Sequence, residues 1–212
     1  MITDLVTTKS NIIQFNQTDS YDYLVEEEVN ALIKAYRDYM LEAKEQKNKK
    51  RYMRRWRQFI IFMVLRETGA RLSEVLGIDD TKDIDFDNNS IRIQTLKRKK
   101  ETFRTVFISD KLIAEISRFL MSFPEMRGKL FKINKRTVQY YFSDMCQKAN
   151  IPEKKSHIHI LRHTRAVEYI KANIPLHHIK QLLGHSSLIT TSVYLNVYSS
   201  EIKQILQERN FI

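Results

Sequence analysis

Residues 157–197 read HIHILRHTRAVEYIKANIPLHHIKQLLGHSSLITTSVYLNV and contain the densest group of chemically active side chains in the sequence. His159 and Arg162 are three positions apart, so a helix that begins here would carry both on one face. His185 follows a Leu-Leu-Gly segment, and Tyr194 comes nine residues after His185. This part of the chain therefore offers an arginine, two histidines and a tyrosine as candidate site residues.

A further candidate, Arg71, lies well upstream in the segment GARLSE at residues 69–74. An apolar helix is predicted over residues 56–68, and Gly69 is suited to cap its C-terminal end. The residues from Leu72 to Leu76 predict another short helix. Arg71 is thus expected just past a helix end, where a single arginine is more often a surface or capping residue.

Residues 83–108 change from a helical period to the alternation that is typical of strands. One turn is predicted at residues 87–89, Asp-Asn-Asn, and a second at residues 98–101, Arg-Lys-Lys-Glu. The alternating apolar positions are Ile84, Phe86, Ile91, Ile93, Phe103, Val106 and Ile108, with one slip after Phe103. We therefore predict a three-stranded antiparallel sheet with a lysine-rich second turn.

The other segments predict helices, so the fold class is α+β and mainly α-helical. A helical period begins at Val25, and the acidic run 26–28 complements the dipole of the first turn. Another helix is predicted from Asn134 to Ala149. We expect a flexible arm at residues 1–21 and one domain over residues 22–212 that includes a C-terminal helix.

The charge balance points to a polyanionic partner. Lys and Arg total 36 against 25 Asp and Glu, which gives a formal net charge of +11, and binding to phosphates would release condensed counterions. The most basic segment is KEQKNKKRYMRRWRQ, residues 44–58. It is either a solvated segment between helices or a phosphate-contacting face, and its arginine content favours the second interpretation.

Other compositional features argue against several classes of protein. Cys146 is the only cysteine, so no intrachain disulfide can form, as is usual in reducing compartments. No apolar run approaches the roughly 20 residues that cross a bilayer, and the N-terminus lacks the features of a signal peptide. The histidines are not accompanied by HExxH or CxxC spacing. We expect a cytoplasmic protein with no metal, no cofactor and no membrane partner.

Four segments together resemble the tyrosine recombinase, or phage integrase, family: GARLSE, HILRHTRA, LLGHSS and TTSVYLNV. Their order and spacing also match, with the predicted sheet between the first and the second. The resemblance spans roughly residues 22–200. It implies the catalytic-domain fold of that family and the breaking and rejoining of DNA through a 3′-phosphotyrosyl intermediate.

The resemblance also implies roles for particular side chains. Tyr194 would be the nucleophile, and Arg71 and Arg162 would hold the non-bridging oxygens of the scissile phosphate. His159 and His185 would hydrogen-bond that phosphate and assist proton transfer. Tyr198, four residues after Tyr194, is the alternative tyrosine, but Tyr194 lies at the family's distance from the Gly-His pair.

A lysine in the sheet turn would donate a proton to the departing 5′-oxygen. We choose Lys97, at the end of the first strand of the hairpin, and keep Lys99 as the alternative because this turn is longer than is usual in the family. Glu74 matches an acidic position that, in the family, supports the site from behind.

These residue types suit attack on a phosphodiester. Two guanidinium groups can offset its negative charge and stabilise the transition state. A tyrosine with a pKa of about 10 needs a neighbour to take its proton, and the leaving alkoxide needs an acid. The covalent intermediate conserves the bond energy, so strands can be rejoined without ATP. No metal is required when arginines supply the positive charge.

The predicted function is site-specific recombination of double-stranded DNA by a homotetramer on synapsed sites, with a monomer when free. The alternatives are DNA relaxation of the type IB topoisomerase kind and a non-catalytic DNA-binding regulator of the same fold. Typical family members carry a separate DNA-clamping domain before the catalytic one. This sequence has no room for it and is either a minimal recombinase, which Met1 slightly favours, or a fragment.

Overall fold

The computed structural model describes residues 22–95, 102–184 and 207, and the predicted class, mainly helical with a small antiparallel sheet, is confirmed there. The helices are α1 (Glu26–Glu45), α2 (Lys49–Thr68), α3 (Leu72–Val75), α4 (Asp110–Ser122), α5 (Lys135–Lys148), α6 (His159–Lys171) and α7 (Leu176–Leu183). The strands are β1 (Ile84–Asp85), β2 (Ser90–Gln94) and β3 (Phe103–Phe107), in the order β1-β2-β3. Short 3₁₀ turns occur at Pro124–Met126 and Glu153–Lys155.

Helix α2 is the central element, with α1, α4, α5 and α6 packed around it. The ring of Tyr36 on α1 stacks on Phe62 of α2 at 4.4 Å between centroids. Both side chains are almost fully buried, as are the other core-facing residues of α1, which recur at helical spacing. Helix α2 begins at Lys49, earlier than the predicted residue 56. The basic segment therefore continues into the first turns of this helix.

The end of α2 depends on Gly69, as predicted. Its φ of +61° is left-handed, and its N–H donates to the Leu65 carbonyl at 3.0 Å. A Cβ atom here would lie 2.6 Å from Leu183 Cδ2 and 3.2 Å from Arg165 Cβ. The absence of a side chain thus ends the helix and also allows α6 and α7 to approach the turn before Arg71.

The three strands pair as predicted, but the alternation on β3 differs from the prediction. Ile93 of β2 is opposite Arg104 of β3, and Ile93 is fully buried. Arg104, Val106 and Ile108 therefore face inward without any slip, whereas Phe103 is 50% exposed. The predicted alternation therefore fails at Phe103, because the inward-facing position at this end of β3 carries the charged side chain of Arg104.

Two hydrophobic clusters position the elements that bear candidate residues. The larger cluster joins α1, α2, α4, α5 and the inner face of the sheet. The smaller one joins the C-terminal half of α6 to Ile179 and Leu183 of α7. The predicted arm, second turn and C-terminal helix lie outside the described residues apart from Gln207, so the predicted domain boundaries stay a prediction. Within the described ranges, the helices include none that is long and apolar enough to cross a membrane.

Candidate active site

Arg71 is held in place by Glu74 at the start of α3. One carboxylate oxygen of Glu74 accepts the backbone N–H of Arg71 and the other accepts Nη1, both at 3.0 Å. The Glu74 side chain is completely buried, whereas the Arg71 side chain is 20% exposed. Glu74 therefore orients Arg71 from the inside and leaves part of its guanidinium accessible.

Arg104 is a second cation on the same carboxylate, and it is not among the site residues predicted from the sequence. Its Nη2 donates to Glu74 Oε2 at 2.7 Å, and its side chain is 9% exposed. Burial would raise the pKa of Glu74, but the hydrogen bonds and charges of Arg104 and Arg71 outweigh burial and lower that pKa below its usual value. Glu74 is therefore an ionised carboxylate between two arginines.

Arg162 joins two chain segments that carry other candidate residues. It lies on α6, which begins at His159, and is 2% exposed. Its Nη1 donates to the Gly69 carbonyl at 2.9 Å and to the Leu183 carbonyl at 2.8 Å. Gly69 comes two residues before Arg71, and Leu183 comes two residues before His185. Arg162 thus brings both segments to the same point of the fold.

The other three candidates, Lys97, His185 and Tyr194, lie outside the described residues, as do the alternatives Lys99 and Tyr198. The described residues nearest to two of them in sequence lie beside Arg104. Thr95, two residues before Lys97, accepts a hydrogen bond from Arg104 Nη1 at 3.1 Å. Gly184, next to His185, has a φ of +70°, and a Cβ there would lie 2.7 Å from Arg104 Nη1.

An open groove of about 600 Å³ separates β3 from α7 beside these residues. Thr95, Thr105, Lys180 and Gly184 are among the residues that line it, together with Arg104. The groove places the base of the hairpin opposite the end of α7. The segments before Lys97 and His185 therefore approach each other from opposite sides of this groove.

His159 and His163 lie one helical turn apart on α6. Their rings meet edge to face at 4.9 Å between centroids, and His159 is exposed. Burial, and then the nearby charges of His159, His157 and Arg162, lower the pKa of His163 to about 4. His163 is therefore neutral at pH 7, which avoids a further positive charge beside Arg162.

This lowered pKa predicts acid sensitivity that His163→Gln should reduce. The unfolded chain binds a proton near pH 6.5 and the folded chain only near pH 4, so stability is complete above pH 6.5 and is lost as the pH falls towards 4. Between pH 7.5 and 5 we expect the variant to lose about 1 kcal/mol less unfolding free energy than the parent, allowing for solvent screening. Urea titrations at both pH values would measure this.

His177 on α7 is exposed and provides the matched control. His177→Gln should keep the parent's dependence of stability on pH. If His163→Gln also loses as much stability as the parent between these pH values, the neutral state of His163 is not the source of the acid sensitivity.

The basic segment divides between structural and exposed cations. Arg55 is buried, with Nη1 donating to the Tyr39 carbonyl and to Glu42. Arg57 donates to two backbone carbonyls in the loop after α4 at 2.7 Å each. Lys50, Arg51 and Arg54 are exposed. Of the cations in the basic segment, the exposed ones are therefore available to contact phosphates, whereas Arg55 and Arg57 are engaged within the fold.

The exposed cations lie around a pocket of about 260 Å³ at the N-terminal end of α2. The pocket is lined by Tyr39, Asn48, Lys50, Arg51, Arg54, Arg55 and Tyr141. The first turn of α2 contains no acidic residue, although the helix dipole favours negative charge at that end. This combination creates a concentrated positive potential that suits a phosphate group. Among the described residues, no cluster of His, Cys, Asp and Glu could hold a metal ion.

A weak sequence signal for Arg104 did exist. Alternate residues of a strand share one face, so the inward-facing Ile108 and Val106 predict that position 104 also faces inward. An arginine at an inward-facing position requires a buried partner. Glu74, which the family resemblance places behind the site, was a candidate for that partner. The expectation of an apolar inner face on β3 obscured this pairing.

Comparisons with known proteins identify the family of this chain. The sequence model of the phage integrase family matches residues 22–201. A tyrosine recombinase from Pseudothermotoga lettingae is 31% identical over 180 residues, which cover 81% of this chain and 62% of that protein. The tyrosine recombinase XerC of Caldanaerobacter subterraneus is 28% identical over 165 residues, covering 72% of this chain and 44% of the relative. This chain thus spans only part of the length of these relatives.

Solved structures show the same fold. The crystal structure of XerA recombinase matches with a TM-score of 0.68 and 25% identity, covering 89% of this chain and 65% of that one. A post-cleavage complex of XerH recombinase with palindromic difH substrate matches with a TM-score of 0.69 and 22% identity, covering 97% and 57%. With the family match over most of its length, the chain belongs to the phage integrase family of tyrosine recombinases.

Proposed function

We propose that this chain cleaves and rejoins double-stranded DNA as a site-specific recombinase, through a 3′-phosphotyrosyl link to Tyr194. The observation that supports this most is the position of Arg162. It hydrogen-bonds the segment before Arg71 and the segment before His185, so residues far apart in sequence meet near one point. A site for a single phosphate requires such convergence.

In this proposal the two arginines bind the non-bridging oxygens of the scissile phosphate. Arg71 has an accessible part of its guanidinium and a buried carboxylate, Glu74, that limits its rotation. Arg162 is held in position by two backbone carbonyls. Arginines restrained before substrate binds can stabilise the extra negative charge of the transition state with little reorganisation.

The remaining residues move protons. The phenol oxygen of Tyr194 forms a bond to phosphorus as its proton passes to a neighbouring group, with His159 and His185 assisting. The bond from phosphorus to the 5′-oxygen breaks, and Lys97 gives a proton to that oxygen. The 5′-hydroxyl of another strand then attacks the phosphotyrosyl bond, which restores both the DNA backbone and the tyrosine.

We further propose a homotetramer on two synapsed DNA sites, a monomer when free, and association with the nucleoid in the cytoplasm. DNA as the partner is supported by the +11 net charge and by structural neighbours, complexes of XerH recombinase with difH substrate, whereas the oligomeric states follow from the family resemblance alone. A nicked substrate that loses a short fragment on cleavage would trap the covalent adduct on a denaturing gel. Recombinant products from two-site DNA support recombination, whereas relaxation of supercoiled DNA with no recombinants would favour a topoisomerase.

The exposed cations of α2 should contribute directly to DNA affinity. If Lys50 and Arg54 each neutralise one phosphate, the double variant Lys50→Ala, Arg54→Ala should reduce the slope of log affinity against log salt by about 2. Fluorescence anisotropy with labelled duplex at several salt concentrations would measure the slope.

Lys82→Ala with Arg118→Ala is the matched control, because it removes the same charge from exposed side chains elsewhere. This control should change the slope little. Equal changes in both double variants would mean that only the net charge matters and that the pocket at the N-terminal end of α2 does not contact DNA.

A further inference from the structure

We propose that Arg104 is a positioning residue for DNA cleavage, which holds together three chain segments that carry or precede catalytic residues. The effect of Arg104 on cleavage, which is part of this inference, rests on the proposed function. Arg104 is not among the residues to which the family resemblance assigns a catalytic role. Its side chain contacts each of the three segments through a different nitrogen atom.

The three hydrogen bonds of Arg104 are directed at separate elements. Nε donates to the Leu182 carbonyl on α7 at 2.9 Å, Nη1 to Thr95 Oγ1 at 3.1 Å and Nη2 to Glu74 Oε2 at 2.7 Å. The two more distant partners are 78 and 30 positions away in sequence. One side chain therefore connects α7, the base of the hairpin and α3.

Each contact lies close in sequence to a proposed catalytic residue. Glu74 binds Arg71 directly, Thr95 comes two residues before Lys97, and Leu182 comes three residues before His185. A shift of Arg104 would therefore change the positions of three groups at once. Misplacement by about 1 Å can reduce an enzymatic rate roughly 100-fold.

The site requires arginine for geometric and electrostatic reasons. A planar guanidinium can donate in three fixed directions, whereas the ammonium of a lysine is a compact charge on a flexible chain. The charge of Arg104 is largely buried and is paired with a fully buried carboxylate. Loss of Glu74 would leave Arg104 without this buried partner, and loss of Arg104 would leave Glu74 with Arg71 as its remaining cation. The close approach of Gly184 leaves no space for a side chain at that position.

Arg104→Lys is the first test, because it keeps the charge opposite Glu74 but cannot reproduce all three hydrogen bonds. We expect single-turnover cleavage at saturating DNA to fall at least tenfold, while the DNA dissociation constant and the urea midpoint stay close to those of the parent. Arg104→Met should reduce cleavage about 100-fold. If a higher DNA concentration restores the cleavage rate of these variants, Arg104 contributes to DNA binding, and the proposal would be wrong.

Arg66→Met is the matched control for general destabilisation. Arg66 of α2 is also largely buried and pairs with Glu168 of α6, so it too connects two elements. We expect this variant to lose stability but to retain most of its cleavage rate under conditions where it is folded. If Arg66→Met and Arg104→Met lose cleavage in proportion to their stabilities, Arg104 has only a structural role.

Hydrogen exchange in the DNA-free chain provides a readout that does not depend on activity. Arg104→Met and Arg104→Lys should increase deuterium uptake in peptides that cover residues 71–76 and 179–184, whereas Arg66→Met should not. Unchanged uptake there would overturn the proposal even if cleavage falls. If the parent forms no adduct with DNA, the proposed function fails, and the exchange result still decides whether Arg104 fixes these segments.

Discussion

Tyr194→Phe should form no covalent adduct with DNA and should bind duplex DNA with nearly the parent's affinity. The change removes one oxygen atom, which is the proposed nucleophile, and phenylalanine cannot form a phosphoester. The ring and the net charge are retained, so the phosphate contacts that dominate affinity should remain. A nicked substrate followed by a denaturing gel measures the adduct, and anisotropy measures the affinity.

Tyr198→Phe is the matched control, because Tyr198 is the alternative tyrosine four residues further on. This variant should form the adduct at a rate close to that of the parent. An adduct in Tyr194→Phe together with its loss in Tyr198→Phe would assign the nucleophile to Tyr198. Loss in both would indicate that the segment, and not one hydroxyl, is required.

Arg162→Ala should abolish detectable cleavage and retain most of the DNA affinity. Loss of one positioned donor to a transition-state oxygen typically costs a factor of about 100 to 1,000, and Arg162 is proposed to provide charge as well. The same change leaves the Gly69 and Leu183 carbonyls without this donor, which should cost about 1–3 kcal/mol of stability for each buried group left unsatisfied. Single-turnover cleavage and urea titration measure the two effects separately.

Arg162→Lys separates charge from geometry. Lysine keeps the positive charge but lacks the planar fork, so it should lose less stability than alanine and still cleave roughly 100-fold more slowly than the parent. Cleavage near the parent rate in either variant, measured at saturating DNA and on folded protein, would contradict the proposed phosphate contact of Arg162.

Several parts of the fold could be predicted from local patterns. The acidic first turn and apolar face of α1, the glycine after α2 and the start of α6 at His159 all follow from residues within one or two helical turns. The strands were found from alternation in the same way. These features depend on short-range geometry, which the order of residues directly determines.

Two predictions failed or fell short for a common reason. Phe103 was listed with the alternating apolar positions of the sheet and is half exposed, and the basic segment included cations that bind backbone carbonyls within the fold. In each case the type of side chain suggested one environment, while a partner elsewhere in the sequence determined another. The hydrophobicity and charge of a side chain predict the environment that such residues have on average. In a particular fold, a specific partner can place the side chain in a different environment.

The order of residues alone identified the family and the six candidate catalytic positions, because the motifs that carry them are short and occur in a characteristic order. Only the tertiary structure revealed that Glu74 lies between Arg71 and Arg104, and that Arg162 bonds the carbonyls of Gly69 and Leu183. A buried charge must find a partner wherever the folded chain brings one. Those partners are up to 93 positions away, beyond the reach of any local periodicity.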